Sequence, residues 1–186
     1  LLIMRNLLND AGPVNAILEK IGLISAANPL PFLSDPIWAK FSIIIVNMWV
    51  GIPVTMLVAT GIIMNLPQEQ IEAAEIDGAS KFQIFKSITF PQILLVMMPN
   101  LIQQFIGNIN NFNVIYLLTT DYTTTNMRFA NSHGNDVDLL ITWLFSLTNN
   151  YSNFKMASVI GIITCVICVA LTLLSFSKFL QGDREE

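Results

Sequence analysis

Long uncharged runs alternate with short polar knots along the chain, and that alternation predicts its organisation. Residues 41–64, "FSIIIVNMWVGIPVTMLVATGIIM", hold 24 positions without a charge, more than the roughly 20 needed to cross a hydrocarbon core. Gly51 and Pro53 would interrupt a soluble helix, whereas a membrane helix tolerates them with a kink. A second run, "PQILLVMMPNLIQQFIGNINNFNVIYLLT", carries 29 residues without a charge but is rich in amides. The third, "MASVIGIITCVICVALTLLSFSKF", is followed by the polar tail "LQGDREE". The pattern predicts spans over about 41–64, 91–118 and 156–179 within a membrane domain of residues 37–186. Residues 1–36, broken by Gly12-Pro13 and by "NPLPFLSDP", predict an extracytoplasmic connecting segment. Residues 119–155 form a polar outer loop. Within it "VDLLITWLFSLT" reads as a short amphipathic or interfacial helix, with Trp143 suited to the membrane boundary.

Between the first two spans lies a loop, residues 65–90, that is unusually organised. Pro67 suits the first turn of a helix, where its missing N–H costs nothing. "QEQIEAAEID" is strong helix former with acids clustered early, which complements the helix dipole. Gly78 ends or turns that helix. "ASKFQIFKSI" predicts a second short amphipathic helix with Phe82, Phe85 and Ile88 three residues apart, and Pro91 enters the next span. The expected shape is a helical hairpin with exposed acids and aromatics, a docking knob.

Composition narrows the class. The chain is 53% hydrophobic and only 12% charged, about half the charge of an ordinary soluble domain. Three apolar runs of this length in 186 residues would leave a soluble protein little to face water. The formal charge of -4 and the lack of a basic stripe argue against nucleic acid. Cys165 and Cys168 have CxxC spacing but no companion ligands, and read as small hydrophobes in an apolar run. His133 has no second histidine near it. Four basic residues in about 35 on the side of the 65–90 loop, against five in 77 on the other, favour the former as cytoplasmic.

The middle run carries a stripe of amides. Asn100, Gln104, Asn108 and Asn111 recur at four, four and three residues and share a drifting helical face; Gln103, Asn110 and Asn113 lie beside it. An unsatisfied amide in hydrocarbon costs roughly several kcal/mol, so these side chains are expected to face protein or a water-filled path. Two readings stand: the amides bind helices together and cap an unwound stretch, or they contact a hydroxyl-rich solute, since amides donate and accept at once. Phe112 and Tyr116, one turn apart, suit the apolar face of a sugar ring. Asn47 reads as a packing amide.

Glu72-Ala73-Ala74, three residues, Gly78, nine residues, Ile88, then Phe90-Pro91 resembles the "EAA" cytoplasmic loop of binding-protein-dependent ABC transporter permeases. The family carries Leu where this chain has Phe90. The resemblance runs over essentially the whole chain and points to maltose/maltodextrin-type subunits, through "GPVNAIL" at 12–18, "AEIDGAS" at 74–80, "NNFNVIYLLT" at 110–119 and "DLLITWLFSLT" at 138–148. Many relatives follow the middle span with "LT-x-GGP"; here Leu118-Thr119 runs into "TDYTTTN", a departure that bears on the outer loop. It implies an all-α membrane protein, the C-terminal portion of a type I ABC importer permease fold with about three spans visible, in the bacterial inner membrane.

What the resemblance implies is a sugar importer. This chain would pair with a second homologous permease subunit, two ATPase subunits at the cytoplasmic loop and an extracytoplasmic sugar-binding protein, amid membrane lipid. It would carry no cofactor; ATP and Mg would be bound and hydrolysed by the ATPase partners. Glu72, Ala73, Ala74, Asp77 and Gly78 would form the coupling element. Glu72 would pair at the ATPase surface, the alanines permit close packing, and Gly78 gives the turn. Asn108, Asn110, Asn111, Phe112 and Tyr116, with Ser175 and Phe179, would belong to a sugar site translocating maltose or maltodextrin.

The residues themselves carry no catalytic constellation, no phosphate-binding lysine motif and no Asp, Glu or His inside the spans, the side chains that proton relays use. A permease for another oligosaccharide and a non-transporting scaffold subunit are the alternatives.

Overall fold

The computed structural model describes residues 1–25, 27–124 and 126–182, with the side chains of Ala130 and of 176–182 left aside. Its elements are helical: α1 (Leu2–Leu8), α2 (Pro13–Lys20), α3 (Pro36–Met64), α4 (Gln68–Ile76), α5 (Lys81–Ile84), a π-helical stretch (Phe85–Thr89), α6 (Phe90–Ile109), α7 (Phe112–Thr119), α8 (Met127–Asn131), α9 (Leu140–Asn149) and α10 (Phe154–Gly182). Among the described residues three helical stretches are long and apolar enough to cross a membrane: Pro36–Met64, Lys81–Thr119 and Phe154–Ser175. No more than 17% of any of their apolar windows is buried within the chain. Side chains such as Ile45, Trp49, Leu57, Ile162 and Leu173 stand exposed, a surface that calls for lipid or neighbouring helices rather than water.

The chain divides into two units, Leu1–Trp49 with Gly107–Ala170, and Val50–Ile106 with Leu171–Glu186. The first has three apolar clusters. Ala39 packs with Tyr122, Val137 and Ile43. Val46 packs with Val114 and Leu118, joined by Leu1 and by Met4 and Leu8 of α1. Leu147 packs with Ala157 and Ile160 beneath Trp143 and Leu144. Together these seat α7 on α1 and α3, and α9 on α10.

The amino-terminal segment is tied by one side chain. Pro13 opens α2 in the first-turn position, where its fixed φ is pre-organised. Asn15, 4% exposed, donates through Nδ2 to the carbonyls of Asp10 (3.1 Å) and Leu30 (3.0 Å) and accepts the Leu30 N–H at 3.1 Å. A Cβ on Gly12 would stand 2.6–2.8 Å from the carbonyl oxygens of Leu7, Asn6 and Asn9, so glycine is required there by close approach. The "GPVNAIL" stretch is thus a folding device that pins the Leu30 region to the start of α2.

In the second unit α4 ends in a Schellman turn. The Ala79 N–H donates to the Ala74 carbonyl and the Gly78 N–H to the Glu75 carbonyl, both at 3.0 Å, with Gly78 at φ +80°, the left-handed region that glycine enters freely. Two residues later Ser80 opens α5 with a capping box: its N–H donates to Gln83 Oε1 at 2.8 Å, and its Oγ accepts the Gln83 N–H at 3.4 Å. The helix continues through the π-helical stretch, where the Phe90 N–H reaches the Phe85 carbonyl. That widened turn gives room for Pro91, whose ring would otherwise press on the preceding turn.

Candidate functional site

Most of the residues singled out from the sequence fall into two groups, one in each unit. In the first unit the middle apolar stretch breaks at Asn110–Asn111. The Asn110 carbonyl accepts the Phe112 N–H at 3.1 Å, and Asn111 sits at φ -80°, ψ 89°, close to an inverse γ-turn. Asn111 then caps α7, its Oδ1 accepting the Val114 N–H at 3.3 Å. Its Nδ2 donates to Asn47 Oδ1 at 2.8 Å, and Asn47 Nδ2 donates to Asn108 Oδ1 at 3.0 Å. The stretch over 91–118 is therefore two helices, α6 and α7, with an amide cap supplying the partner that the backbone loses at the break.

The packing role read for Asn47 holds, and it has a consequence: Asn47 draws Asn108 and Asn111 into one chain of amides. Asn108 is exposed, Asn111 half-buried and Asn110 exposed. Beside them stand three rings. Phe112 and Tyr116 stack on each other with centroids 4.9 Å apart and planes 15° apart. Phe145 of α9 meets Phe112 at 4.8 Å and 58°, and Tyr116 at 5.0 Å and 69°. Tyr116 remains 38% exposed. Amides that donate and accept, set next to a partly open aromatic cluster, form a surface suited to a neutral polyhydroxylated ring, with hydroxyls on the amides and C–H faces on the rings.

Ser175 belongs to the other unit and is half-buried on α10; the side chain of Phe179 lies outside the described residues. Phe145 was not singled out by sequence. Residues 139–147 are apolar at nearly every position, so periodicity gave it no rank above Trp143 or Leu144.

The polar connection near α9 is ordered by carboxylates. Asp136 accepts from Tyr122 Oη at 3.3 Å and from Thr124 Oγ1. Burial, with the charge and hydrogen bond of Asp136 and the charge of Asp35 behind it, pushes the Tyr122 phenol up to about 12. Asp138 accepts the Asn135 N–H at 2.8 Å and the Thr142 hydroxyl at 2.9 Å. Burial raises its carboxyl above the ordinary aspartate value, against the pull of those two bonds. In the stretch after Leu118-Thr119, Asp121 stands against Arg5 at 3.4 Å and Tyr122 is buried.

In the second unit the knob is built from α4, the Schellman turn and α5. Glu72, Ala73, Asp77 and Gly78 are exposed and Ala74 is half-buried. Ala74 supplies the carbonyl that closes the turn, so the spacing from Ala74 to Gly78 has a local structural cause. Ile76, Phe82 and Phe85 stand exposed, at 86%, 72% and 51%, an apolar face on a polar knob that calls for a partner. A cleft beside it is lined by Ala74, Gly78, Ala79, Gln83, Ile84 and Ser87 among others. Gln92 of α6 donates to Gln70 of α4. Farther along, Gln104 Nε2 donates to Asn100 Oδ1 at 2.9 Å and Thr55 Oγ1 at 3.1 Å. Among the described residues no group of three or more His, Cys, Asp or Glu side chains is placed to hold a metal.

Residues 3–182 match the family described as binding-protein-dependent transport system inner membrane component. The chain belongs to that family. It is 34% identical over 180 residues to a galactooligosaccharides transport system permease protein of Bacillus subtilis, covering 96% of this chain and 41% of the relative. To a maltodextrin transport system permease protein of Streptococcus pneumoniae it is 32% identical over 192 residues, covering 100% and 43%. To a maltose/maltodextrin transport system permease protein of Vibrio vulnificus it is 33% identical over 188 residues, covering 98% and 35%. The chain thus spans less than half the length of these relatives.

Its all-α fold, with three long apolar helices, matches the ABC-importer permease fold. A crystal structure of a bacterial ABC transporter involved in the import of the acidic polysaccharide alginate superposes with TM-score 0.80 at 24% identity, covering 96% of this chain and 58% of that one. A second, of a bacterial alginate ABC transporter with an alginate pentasaccharide-bound periplasmic protein, gives TM-score 0.76 at 25% identity, covering 94% and 56%. Family and fold agree on a multi-pass inner-membrane component of a binding-protein-dependent transport system.

Proposed function

We propose that the chain forms part of the permease subunit of an ABC importer for neutral oligosaccharides of the maltodextrin type. The observation that carries the reading is the break at Asn110–Asn111, where an amide chain and an aromatic cluster meet within an otherwise apolar stretch. Asn108, Asn110, Asn111, Phe112 and Tyr116 would contact the sugar. The named substrates of the maltodextrin and maltose relatives support this class, and so does the chemistry. No Arg, Lys or carboxylate stands among the grouped side chains, so an acidic polysaccharide would find no counter-charge there. The galactooligosaccharide relative at 34% identity favours a second reading, a galactose-containing oligosaccharide on the same site.

The knob at 65–90 would be the cytoplasmic coupling element, with Glu72, Ala73, Ala74, Asp77 and Gly78 meeting an ATPase partner. Two such partners would bind ATP and Mg and hydrolyse the nucleotide; a homologous permease and an extracytoplasmic sugar-binding protein would complete the assembly. Residues 1–36 and 119–155 would face outward, and the membrane domain would run from 37. From the π-helical stretch onward the knob continues into α6 without a loop, so movement at the knob would be passed on along one helical body. Uptake of radiolabelled maltotriose by cells with the complete transporter, competed by unlabelled maltodextrin or galactooligosaccharide, tests the substrate. Uptake suppressed by maltodextrin and not by galactooligosaccharide is expected; no maltotriose uptake, with a radiolabelled galactooligosaccharide taken up instead, would select the second reading.

A further inference from the structure

We propose that Phe145 of α9 is a positioning residue that holds the Phe112–Tyr116 pair at a fixed tilt and thereby sets which sugar the site prefers; the proposal rests on the sugar reading above. Phe112 and Tyr116 lie one turn apart on α7 and stack on each other, which occupies one face of each ring. Exposed side chains on a helix exchange rotamers within nanoseconds, and Tyr116 is exposed enough to do so unless a third surface restrains it. Phe145 supplies that surface. It meets both rings at centroid distances of 4.8 and 5.0 Å with planes inclined by 58° and 69°, the tilted and edge-to-face geometry that aromatic quadrupoles favour.

The restraint is useful only if Phe145 is itself fixed, and α9 is anchored on both sides of it. At its start Asp138 holds the Thr142 hydroxyl and the Asn135 N–H, and Trp143 Nε1 donates to the Ser132 carbonyl at 2.9 Å. Two residues beyond Phe145, Leu147 is 1% exposed and packs with Ala157 and Ile160 of α10. The ring therefore projects from a helix pinned by hydrogen bonds before it and by apolar packing after it. With the inner faces stacked and Phe145 against both rings, only the remaining outer surface is open to a sugar. Its orientation depends on Phe145, and so does discrimination between pyranoses that differ in one axial hydroxyl.

The test is transport by the complete transporter, with KM and Vmax measured for maltotriose and for a galactose-containing trisaccharide. Phe145→Leu keeps apolar bulk without the ring, and Phe145→Tyr keeps the ring. Phe145→Leu is expected to raise KM for maltotriose about three- to tenfold, the scale of one or two aromatic contacts, with Vmax little changed and the ratio of the two sugars moved toward one. Phe145→Tyr is expected to behave as wild type. A role in folding alone predicts the opposite split, with Leu tolerated or Vmax falling with membrane level at constant KM, and that result overturns the proposal. Phe112→Ala is the reference: if it shifts KM while Phe145→Leu does not, the sugar site stands and the role of Phe145 falls. If neither shifts KM, the sugar reading falls and this inference with it.

Discussion

Asn111 joins α7 to α3 through Asn47: its Nδ2 donates to Asn47 Oδ1 at 2.8 Å while its own Oδ1 caps α7 at the Val114 N–H. One side chain thus starts α7 and ties it to α3, and Asn47 carries the tie on to Asn108 of α6. The two roles are separable. Asn111→Ser retains an oxygen able to cap but is too short to hold Asn47, and is expected to cost about 1 kcal/mol. Asn47→Ala should cost less in that background than in wild type, by a coupling of about 0.5–3 kcal/mol. Unfolding midpoints of the four detergent-solubilised proteins decide it, since strictly additive shifts would mean the pair is not coupled.

Gly78 and Gly61 make a matched contrast in the second unit. Both have open space where a Cβ would go, but Gly78 sits at φ +80° and Gly61 lies inside α3. Gly78→Ala should cost about 1–2 kcal/mol through the left-handed backbone and loosen the Ala79–Ala74 bond. Gly61→Ala should be neutral or gain up to about 1 kcal/mol. Amide exchange at Ala79 reads the difference: faster in Gly78→Ala, unchanged in Gly61→Ala.

Asn15 satisfies both main-chain groups of Leu30. Asn15→Ala leaves the part-buried Leu30 N–H and C=O without their partner, a loss of about 1 kcal/mol. Amide exchange over residues 28–34 should accelerate in the variant while exchange in α9 stays as it was.

Asp138 gives a pH dependence with a definite sign. Its carboxyl titrates above the ordinary value of 3.8 in the folded chain, so the folded state favours the protonated form. The stabilising contribution is complete below 3.8 and is lost as pH rises through the folded value. Asp138→Asn removes that dependence. Lowering the pH from 7 toward 4 should therefore shift the difference in unfolding midpoint in favour of wild type; a difference that moves the other way contradicts the raised carboxyl.

Much of the fold was legible because a membrane imposes a crude rule. About 20 apolar residues must cross it, and the three runs announce themselves. Their ends were less legible. The second apolar helix begins at Lys81, inside the stretch read as loop, because the Ser80–Gln83 capping box and the π-helical turn carry the helix through Pro91. The Asn stripe pointed to a special place in the middle run, but composition does not say whether an amide caps a helix or faces a solute, and Asn111 caps. Phe145 was invisible because its neighbours are as apolar as it is. The turn at Gly78 was readable, since a helix followed by glycine and a serine cap leaves the backbone little choice.

The most direct test of the account is maltotriose uptake by cells carrying the complete transporter with Gly78→Pro in this chain, at membrane levels matched to wild type. Proline cannot adopt φ +80° and removes the N–H that closes on Glu75, so the knob loses its turn while the apolar helices keep their sequence. The account predicts uptake at the level of cells without the transporter. Uptake that persists near the wild-type rate would contradict the knob as the coupling element.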